Sequence, residues 1–535
     1  MALGALAAGV VTVGLVAGWR GVDLPAQLYR VGLFRREGFA LWDSQWFGGH
    51  WLLDYSVLFP AVAASIGVGL LAVLSAAAAT IAFDRLIVWQ FGATARLASL
   101  TFAVGAAVQS AIGQLPFLSG EAAGLCCMVA IVRGRWLLAA GCALAATLVS
   151  PLPGAFTALG VAALWVARTG LVRRRCSASS RVSASDPTPG LAVRVRHLLL
   201  PPDGIRGVRG HIAVLLAAAV PVVVTSLLFP GQGPMPYPLV DYLWELMVVA
   251  ALWLLTPHDQ KTLRVGMMLY AAAATASEAF ATPLGGNIGR LEDLLALPLA
   301  VAVLWPRRRL LLGVIAVPLA LSQWTPAWAA MTTNAGQAWT HAAYYRPLDS
   351  WLAHRRGPVG RTEVVPTADH WEAAYVAPWV PLARGWERQL DVADNPIFYQ
   401  PGALTAASYR AWLLDNGVRY VALASAPLDS AGVREGALVA HGVPGLSEAW
   451  RSANWTVYRV VGSAGIVGPG ARLVRLDGSR LTVDVTRPGP VVIRVRWTPA
   501  WQVTSGKATT SEAPGRWLRL AAASPGVVEL RIRLF

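Results

Sequence analysis

The sequence predicts a polytopic α-helical membrane protein that continues into a C-terminal soluble region, and three observations support that fold class. Of the 535 residues, 55% are hydrophobic and only 14% are charged, whereas a soluble domain has about a quarter of its residues charged. Apolar runs of helical length recur between charged or Pro/Gly-rich breaks as far as residue 325. Beyond that residue the composition is mixed and includes alternating segments typical of strands.

The apolar runs predict about eleven transmembrane helices, some of them short for a hydrocarbon core of ~30 Å. The first run lacks a basic n-region and a small-residue cleavage site, so we interpret it as a retained span rather than as a signal peptide. The predicted spans are 2–19, 57–82, 94–113, 117–133, 136–151, 154–169, 211–229, 240–256, 264–281, 291–305 and 309–325.

The charges between the spans predict the topology. With a cytoplasmic N-terminus, every internal loop carries Arg or Lys, as the positive-inside rule requires. The largest of these loops, 168–210, is basic and Ser-rich, and we interpret it as a disordered cytoplasmic linker near anionic headgroups. An odd number of spans then places the C-terminal region outside the plasma membrane. The net charge of +16 is thus a topology signal, and nucleic-acid binding is not expected.

The sequence divides into three predicted parts. Residues 1–325 form a transmembrane domain whose first outer loop is 20–56, residues 326–453 form an extracytoplasmic α/β region, and residues 454–535 form an extracytoplasmic β-sandwich. In the α/β part a helical pattern at 408–413 leads into an alternating strand at 418–423. The four cysteines all precede this region, which excludes a disulfide framework or a zinc set there.

The first outer loop holds the two candidate catalytic acids. Asp23 follows the first span, where a carboxylate can act as general base on a sugar hydroxyl. The same residue precedes Leu-Pro and is equally typical of a helix N-cap, so both roles stay open. Asp43 is the second candidate. It lies among Trp42, Trp46 and Trp51, which we interpret as an aromatic belt on an interfacial helix.

Other polar residues surround these acids in the sequence. His50 follows two glycines and is a candidate for phosphate contact, with a structural hydrogen bond as the alternative. Arg30 is a candidate to stabilise the charge that develops on a leaving phosphate. We assign four polar residues to a secondary cavity. One of them is an acid inside a predicted span, where burying a carboxylate costs free energy. These residues are Gln27, Tyr29, Gln45 and Glu121.

The loop at 282–293 is the other candidate on the outer face. Its glycines lead to Arg290 at a helix start, an arrangement in which backbone N–H groups and a fixed positive charge can bind phosphate. Asn287 is the second polar residue of this loop. A glycine pattern alone is equally common in turns. The sequence contains no Walker loop, HExxH or GxSxG motif, which argues against nucleotide-driven transport and hydrolase chemistry.

The order of these segments resembles a known architecture. The segments are GVDLPAQLYR, GFALWDSQWFGGH, GQLPFLSGEA, PLGGNIGRL and, in the outer region, NGVRYVAL. Together they resemble actinobacterial-type integral membrane proteins with a GT-C glycosyltransferase architecture. The resemblance implies an inverting transfer of sugar from a polyprenyl-phosphate donor to a cell-envelope glycan or lipid acceptor at the outer face. It implies Asp23 as the base, with Asp43 in reserve.

Many such enzymes have two adjacent acidic residues in the first outer loop, and this pair is absent here. No metal ligands are therefore predicted, and whether a divalent cation is a cofactor stays open. The absence of the acidic pair also favours one alternative, a catalytically silent scaffold of envelope assembly. The other alternative is a lipid-sugar transporter or flippase. That class predicts two similar halves with broken helices, and the sequence shows no such repeat.

Overall fold

The computed structural model describes residues 1–53, 55–179, 204–231, 233–305, 307–355, 357 and 359–534, with side chains at 170–179 and 204–205 left out. The chain forms two compact units. The helical unit comprises Met1–Trp19, Tyr55–Leu228 and Met235–Met331. The mixed unit comprises Arg20–Asp54, Phe229–Pro234 and Thr332–Phe535. Residues 180–203 of the predicted cytoplasmic linker lie outside the described residues.

Ten of the eleven predicted spans each overlap mainly one helix of the helical unit. Six of the described segments are long and apolar enough to cross a membrane, namely Val68–Phe91, Ala93–Ile112, Leu115–Val132, Pro151–Thr169, Arg206–Leu228 and Arg309–Thr333. They indicate a multi-pass membrane protein. The α-helices that the structure describes in this unit are Ala2–Val16, Phe59–Ile66, Val68–Phe91, Arg96–Ile112, Leu115–Val132, Trp136–Val149, Pro151–Ser179, Gly204–Leu228, Leu239–Leu255, Lys261–Ala279, Arg290–Leu304 and Arg309–Trp328.

The predicted span 57–82 differs from the structure, where two helices occupy this stretch. Gly67 has φ +93° and ψ +140°, values that end Phe59–Ile66 before Val68–Phe91 begins. Only glycine adopts this backbone readily, and the apolar pattern alone does not reveal the break. The second helix then continues to Phe91, beyond the predicted end, because Asp84 and Arg85 do not interrupt a helix.

Glycines allow a close contact between two helices of this unit. A Cβ atom on Gly120 would lie 2.9 Å from the Pro153 ring, and one on Gly124 would lie 2.3 Å from the Thr157 hydroxyl. Two small residues four apart therefore let helix Leu115–Val132 approach helix Pro151–Ser179 closely.

The mixed unit begins with an α/β layer. Its sheet has the order β3-β4-β6-β5, with β3 and β4 parallel and the other pairs antiparallel. The predicted strand at 418–423 is confirmed as β4. The strands are β3 Arg361–Val364, β4 Val418–Ala424, β5 Leu446–Arg451 and β6 Trp455–Val460. The helices are Ala342–Ala353, Trp371–Tyr375, Arg388–Asp394, Ala406–Asp415 and Val433–His441.

Strand β6 marks a difference from the predicted domain boundary. The sequence assigns residues from 454 onward to the β-sandwich, yet β6 pairs with β4 and β5 in the α/β sheet. Alternation identifies a strand from its own residues, whereas the choice of sheet depends on partners distant in the chain. The α/β layer therefore extends to Val460.

The C-terminal strands form two antiparallel sheets with the orders β10-β13-β8-β7 and β11-β12-β9. Alternate side chains point inward, so that Val483 and Leu530 of the first sheet share a core with Ile493 and Leu518 of the second. The C-terminal β-rich region predicted from the sequence is confirmed. The strands are β7 Ala471–Leu476, β8 Arg480–Val485, β9 Gly489–Arg496, β10 Trp501–Ser505, β11 Ala508–Ala513, β12 Trp517–Ala522 and β13 Gly526–Ile532.

The first loop belongs to the mixed unit, not to the predicted transmembrane domain. It forms helix Leu24–Glu37 and a hairpin of β1 Trp42–Asp43 and β2 His50–Trp51. The predicted interfacial helix is therefore wrong. Trp42 and Trp51 are cross-strand partners with rings 5.0 Å apart, and both pack on the sandwich core. The glycines at 48 and 49 have φ +80° and +126°, which closes a turn where a helix would otherwise continue.

Candidate functional site

Helix Leu24–Glu37 positions most of the first-loop candidates. Asp23 is its N-cap residue, Pro25 lies in its first turn, and Gly38 at φ +71° ends it. The helix buries Gln27 and Arg30 among its apolar residues. Because positions 23, 27 and 30 are three or four apart, a carboxylate, an amide and a guanidinium lie along one helix face.

The Asp43 carboxylate is held on both oxygens. The Tyr29 hydroxyl donates to Oδ2 at 2.7 Å, and the Gln45 backbone N–H donates to Oδ1 at 2.9 Å. Asp43 is 0% exposed. Burial and the neighbouring Asp43 raise the pKa of Tyr29 well above its usual value, so the phenol stays a donor. This geometry suits Asp43 to orienting the loop more than to accepting a proton from a sugar.

An aromatic stack lies beside this pair. The Trp46 ring stacks on Tyr29 with centroids 4.3 Å apart and lies 5.8 Å from the nearly parallel His50 ring. Both ring nitrogens of His50 and the Nε1 of Trp46 are buried without a hydrogen-bond partner among the described residues. The Gln45 amide nitrogen donates to the Leu476 carbonyl at 3.4 Å. Stacking and burial therefore fix the orientation of the imidazole.

Glu387 links the candidates from a distant part of the sequence. It forms a buried ion pair with Arg30, and one of its oxygens lies 3.8 Å from the Nε2 of His50. The positive charge of Arg30 is thereby balanced by a carboxylate. The sequence offers no signal for this contact, because the two residues are 357 positions apart.

Asp23 and Gln27 lie at the N-terminal end of the same helix. Asp23 is 6% exposed, and its side chain does not cap the helix by a hydrogen bond. Gln27 is buried, and neither its amide oxygen nor its amide nitrogen has a hydrogen-bond partner in the described part of the chain. A buried amide without a partner costs about 1–3 kcal/mol, which is typical of a group that receives a ligand or water.

The helical unit contains a cavity of about 290 Å³ between its helices. It is lined by residues of the helices that begin at Leu115, Pro151, Leu239, Lys261 and Arg290. Most of the lining is apolar, and its ionisable groups are Glu121, Tyr270 and Glu292. One carboxylate oxygen of Glu121 has no hydrogen-bond partner within the described ranges. Burying an incompletely hydrogen-bonded carboxylate inside a helical membrane unit costs free energy, so its presence indicates a functional role.

Arg290 lies next to the cavity wall. Its guanidinium is 5.9 Å from the centre of the Phe117 ring, which lines the cavity. Asn287 precedes it in the 3₁₀ turn Gly285–Gly289 and donates its backbone N–H to Leu284. The structure thus brings Arg290 and Glu121 to the surroundings of one cavity.

The glycines of this turn have a packing explanation. A Cβ atom on Gly285 would lie 2.1 Å from the Met235 carbonyl, and Gly286 donates its backbone N–H to the Pro236 carbonyl. The turn therefore packs against the segment before helix Leu239–Leu255. Close backbone approach accounts for these glycines without a phosphate.

Sequence reasoning missed the polar centre behind the turn. The structure buries the side chain of Glu245 there. The Tyr237 hydroxyl donates to its Oε2 at 2.6 Å, and the Tyr270 hydroxyl lies 3.1 Å from the same atom. The Tyr270 hydroxyl is also 3.0 Å from the Ile288 carbonyl. No local pattern connects these residues, because they belong to different helices and loops.

The described residues contain no group of three or more His, Cys, Asp or Glu side chains that could hold a metal ion. No protein-family model matches the chain, and no curated protein matches its sequence. The chemistry of the two sites therefore rests on their own residues.

Proposed function

We propose that the chain is a multi-pass membrane glycosyltransferase of the GT-C type. It would transfer a sugar from a polyprenyl-phosphate donor to a cell-envelope glycan or lipid acceptor, with inversion. The observation that supports this best is the apolar cavity of the helical unit, which carries Glu121 and adjoins Arg290. A lipid-linked donor needs apolar space for its chain and a cation for its phosphate.

The mixed unit consists of three separate stretches of the chain, and this arrangement supports the predicted topology. A soluble unit folds on one side of a bilayer, so an even number of helices must cross between its successive stretches. The predicted spans number about six between Asp54 and Phe229 and about four between Pro234 and Thr332, both even. Together with the positive-inside pattern, this supports a cytoplasmic N-terminus and an extracytoplasmic mixed unit at the plasma membrane.

In the proposed reaction Asp23 accepts the proton of the acceptor hydroxyl while that oxygen attacks the anomeric carbon of the donor sugar. The bond from the anomeric carbon to the phosphate oxygen breaks, and its electron pair leaves with the polyprenyl phosphate. A positively charged side chain stabilises the charge that develops on the phosphate. Attack on the face opposite the leaving group inverts the anomeric centre. Asp43, Tyr29, Arg30 and His50 hold the first loop in shape.

The test is turnover by the full-length chain with a panel of polyprenyl-phosphate hexoses and pentoses. We expect Asp23→Asn to lower turnover by roughly 100-fold or more, because amide nitrogen cannot accept the proton. Asp484→Asn, on strand β8 of the sandwich, is the matched control and should keep full turnover. If Asp23→Asn keeps full turnover, Asp23 is not the base.

A second candidate, the envelope-assembly scaffold, has one observation in its favour. Both candidate catalytic acids, Asp23 and Asp43, are buried, and Asp43 has both oxygens engaged as in a structural carboxylate. A wild-type chain that turns over none of the lipid-linked sugars would favour the scaffold. No observation in the described residues specifically favours the transporter or flippase.

A further inference from the structure

An arginine-lined pocket of about 510 Å³ lies at one end of the helical unit. Residues of three helices line it, from the last turns of Val68–Phe91, the start of Arg96–Ile112 and the end of Leu115–Val132. None of the described residues that line it also lines the apolar cavity that contains Glu121. The arginine-lined pocket is therefore a separate feature of the helix packing.

The path of the chain brings these three helix ends to the same face of the membrane. Val68–Phe91 ends only four residues before Arg96–Ile112 begins, and Leu115–Val132 then returns to that end. The sequence predicts that this face is cytoplasmic, because the loops on it carry Arg. The pocket therefore lies where the spans leave the hydrocarbon core and lipid headgroups begin.

The pocket carries a net positive charge. Its charged lining residues are three arginines and one acid, namely Arg85, Arg96, Arg133 and Asp84. The Nε of Arg96 lies 4.0 Å from an oxygen of Asp84, so these two charges offset each other. Arg85 and Arg133 are exposed, and neither forms an ion pair with an acid in the described part of the chain. Two cations at the pocket thus have no protein carboxylate as a partner there.

The other lining residues suit a lipid more than a soluble anion. Val129 and Val132 line the pocket with apolar surface. Trp89 also lines it, is 54% exposed, and lies four positions after Arg85, on the same face of the helix. Tryptophan is enriched at the level of the lipid headgroups, where one part of its ring meets apolar chains and the other meets polar groups. Cations and apolar surface therefore lie side by side in one pocket.

We propose that this pocket binds the headgroup of an anionic phospholipid. The phosphate oxygens accept hydrogen bonds from the guanidinium groups of Arg85 and Arg133, which can each donate two parallel N–H groups. The first carbons of the acyl chains pack against Trp89 and the two valines. A zwitterionic lipid has no net charge to match the two cations, so the pocket selects an anionic one. The site is independent of the proposed enzymatic function.

The test measures lipid binding to the full-length chain in detergent by native mass spectrometry. Phosphatidylglycerol and phosphatidylcholine with the same acyl chains are titrated separately. We expect wild type to bind phosphatidylglycerol more tightly. The double variant Arg85→Gln with Arg133→Gln should lower that affinity about 30-fold, because each arginine near the surface contributes a factor of about five. Its affinity for phosphatidylcholine should not change.

The matched control is the double variant Arg308→Gln with Arg309→Gln. Both residues are exposed and belong to another predicted cytoplasmic loop, so the change of charge is the same outside the pocket. The control should bind phosphatidylglycerol like wild type. An equal loss in both double variants, or equal affinity of wild type for the two lipids, would overturn the proposal. Displacement of the lipid by an equal concentration of inorganic phosphate would overturn the lipid assignment.

A measurement on wild type decides if the Arg85 and Arg133 double variant does not fold. Phosphatidylglycerol with a photoreactive group next to its headgroup is crosslinked to the full-length chain, and the labelled peptides are identified. Labelling of the segments 84–96 and 129–133, competed by unlabelled phosphatidylglycerol but not by phosphatidylcholine, supports the site. Labelling that is absent from both segments overturns it.

Discussion

The two units stabilise their buried acids in different ways. In the mixed unit, buried carboxylates meet arginines. Arg384 contacts Asp391 at 2.9 Å and Glu435 at 2.8 Å, and Glu363 lies 3.8 Å away. In the helical unit, Glu245 meets tyrosine hydroxyls, and one oxygen of Glu121 meets no donor in the described residues. A charge balanced by cations stabilises a fold, whereas an unbalanced acid beside a cavity marks a place where chemistry is expected.

The Arg384 cluster should show the largest effect on stability. Although burial raises the pKa of Asp391, the adjacent Arg384 lowers it below its usual value. Arg384→Met removes the shared cation and leaves three acids buried together. We expect a loss of about 3–5 kcal/mol, measured by denaturant unfolding. Arg451→Met, at an exposed ion pair, should unfold like wild type. Equal midpoints for the two variants would contradict the account of the mixed unit.

His370 should give the mixed unit a pH dependence. Burial alone would lower the pKa of His370, but its contacts with Asp429 and Glu372 raise it to about 9. A folded pKa above the unfolded value near 6.5 means that protonation stabilises the fold fully below pH 6.5 and that this stability is lost as pH rises through 9. We expect a loss of about 3 kcal/mol over that window, since each pKa unit corresponds to about 1.4 kcal/mol.

The variant His370→Asn checks the assignment. His370 has φ +56°, a left-handed conformation that Asn tolerates better than most residues. Tm measured from pH 6 to pH 10 should therefore fall less steeply in the variant than in wild type. Parallel curves would show that another group is responsible for the pH dependence.

The two acids of the helical unit should respond in opposite directions. Glu245→Leu leaves the Tyr237 hydroxyl without its acceptor and the Tyr270 hydroxyl with the Ile288 carbonyl alone, and should destabilise the chain by about 2 kcal/mol. Glu121→Leu removes an incompletely satisfied carboxylate from an apolar cavity and should leave Tm unchanged or raise it, while lowering turnover. Thermal unfolding of both variants tests the comparison. A loss of stability in Glu121→Leu as large as that in Glu245→Leu would show that Glu121 has a structural role.

The difference between the units also explains which structural features can be predicted from the sequence and which cannot. Membrane helices are local, because ~20 apolar residues suffice to define one, and ten of the eleven predicted spans each overlap mainly one helix. The mixed unit depends on distant partners. Arg30 with Glu387, strand β6 in its sheet, and Trp42 opposite Trp51 all require pairings that no short window contains.

The same limit applies to the candidate sites. The Leu-Pro that follows Asp23 predicts a helix N-cap as one of its two roles, and a helix begins there. Two further roles depend on side-chain contacts that no short stretch of sequence contains. Asp43 accepts a hydrogen bond from the Tyr29 hydroxyl, and Glu245 lies within hydrogen-bond distance of two tyrosine hydroxyls.

Photolabelling with a diazirine-bearing polyprenyl phosphate tests most directly whether the helical unit binds a lipid-linked donor in its cavity. We predict labelling of cavity-lining peptides, competed by unlabelled polyprenyl phosphate, and loss of that labelling in Leu295→Trp, which fills the cavity. Leu310→Trp, at a position 91% exposed, should label like wild type. Labelling that is absent from the cavity, or unchanged in Leu295→Trp, would contradict the account.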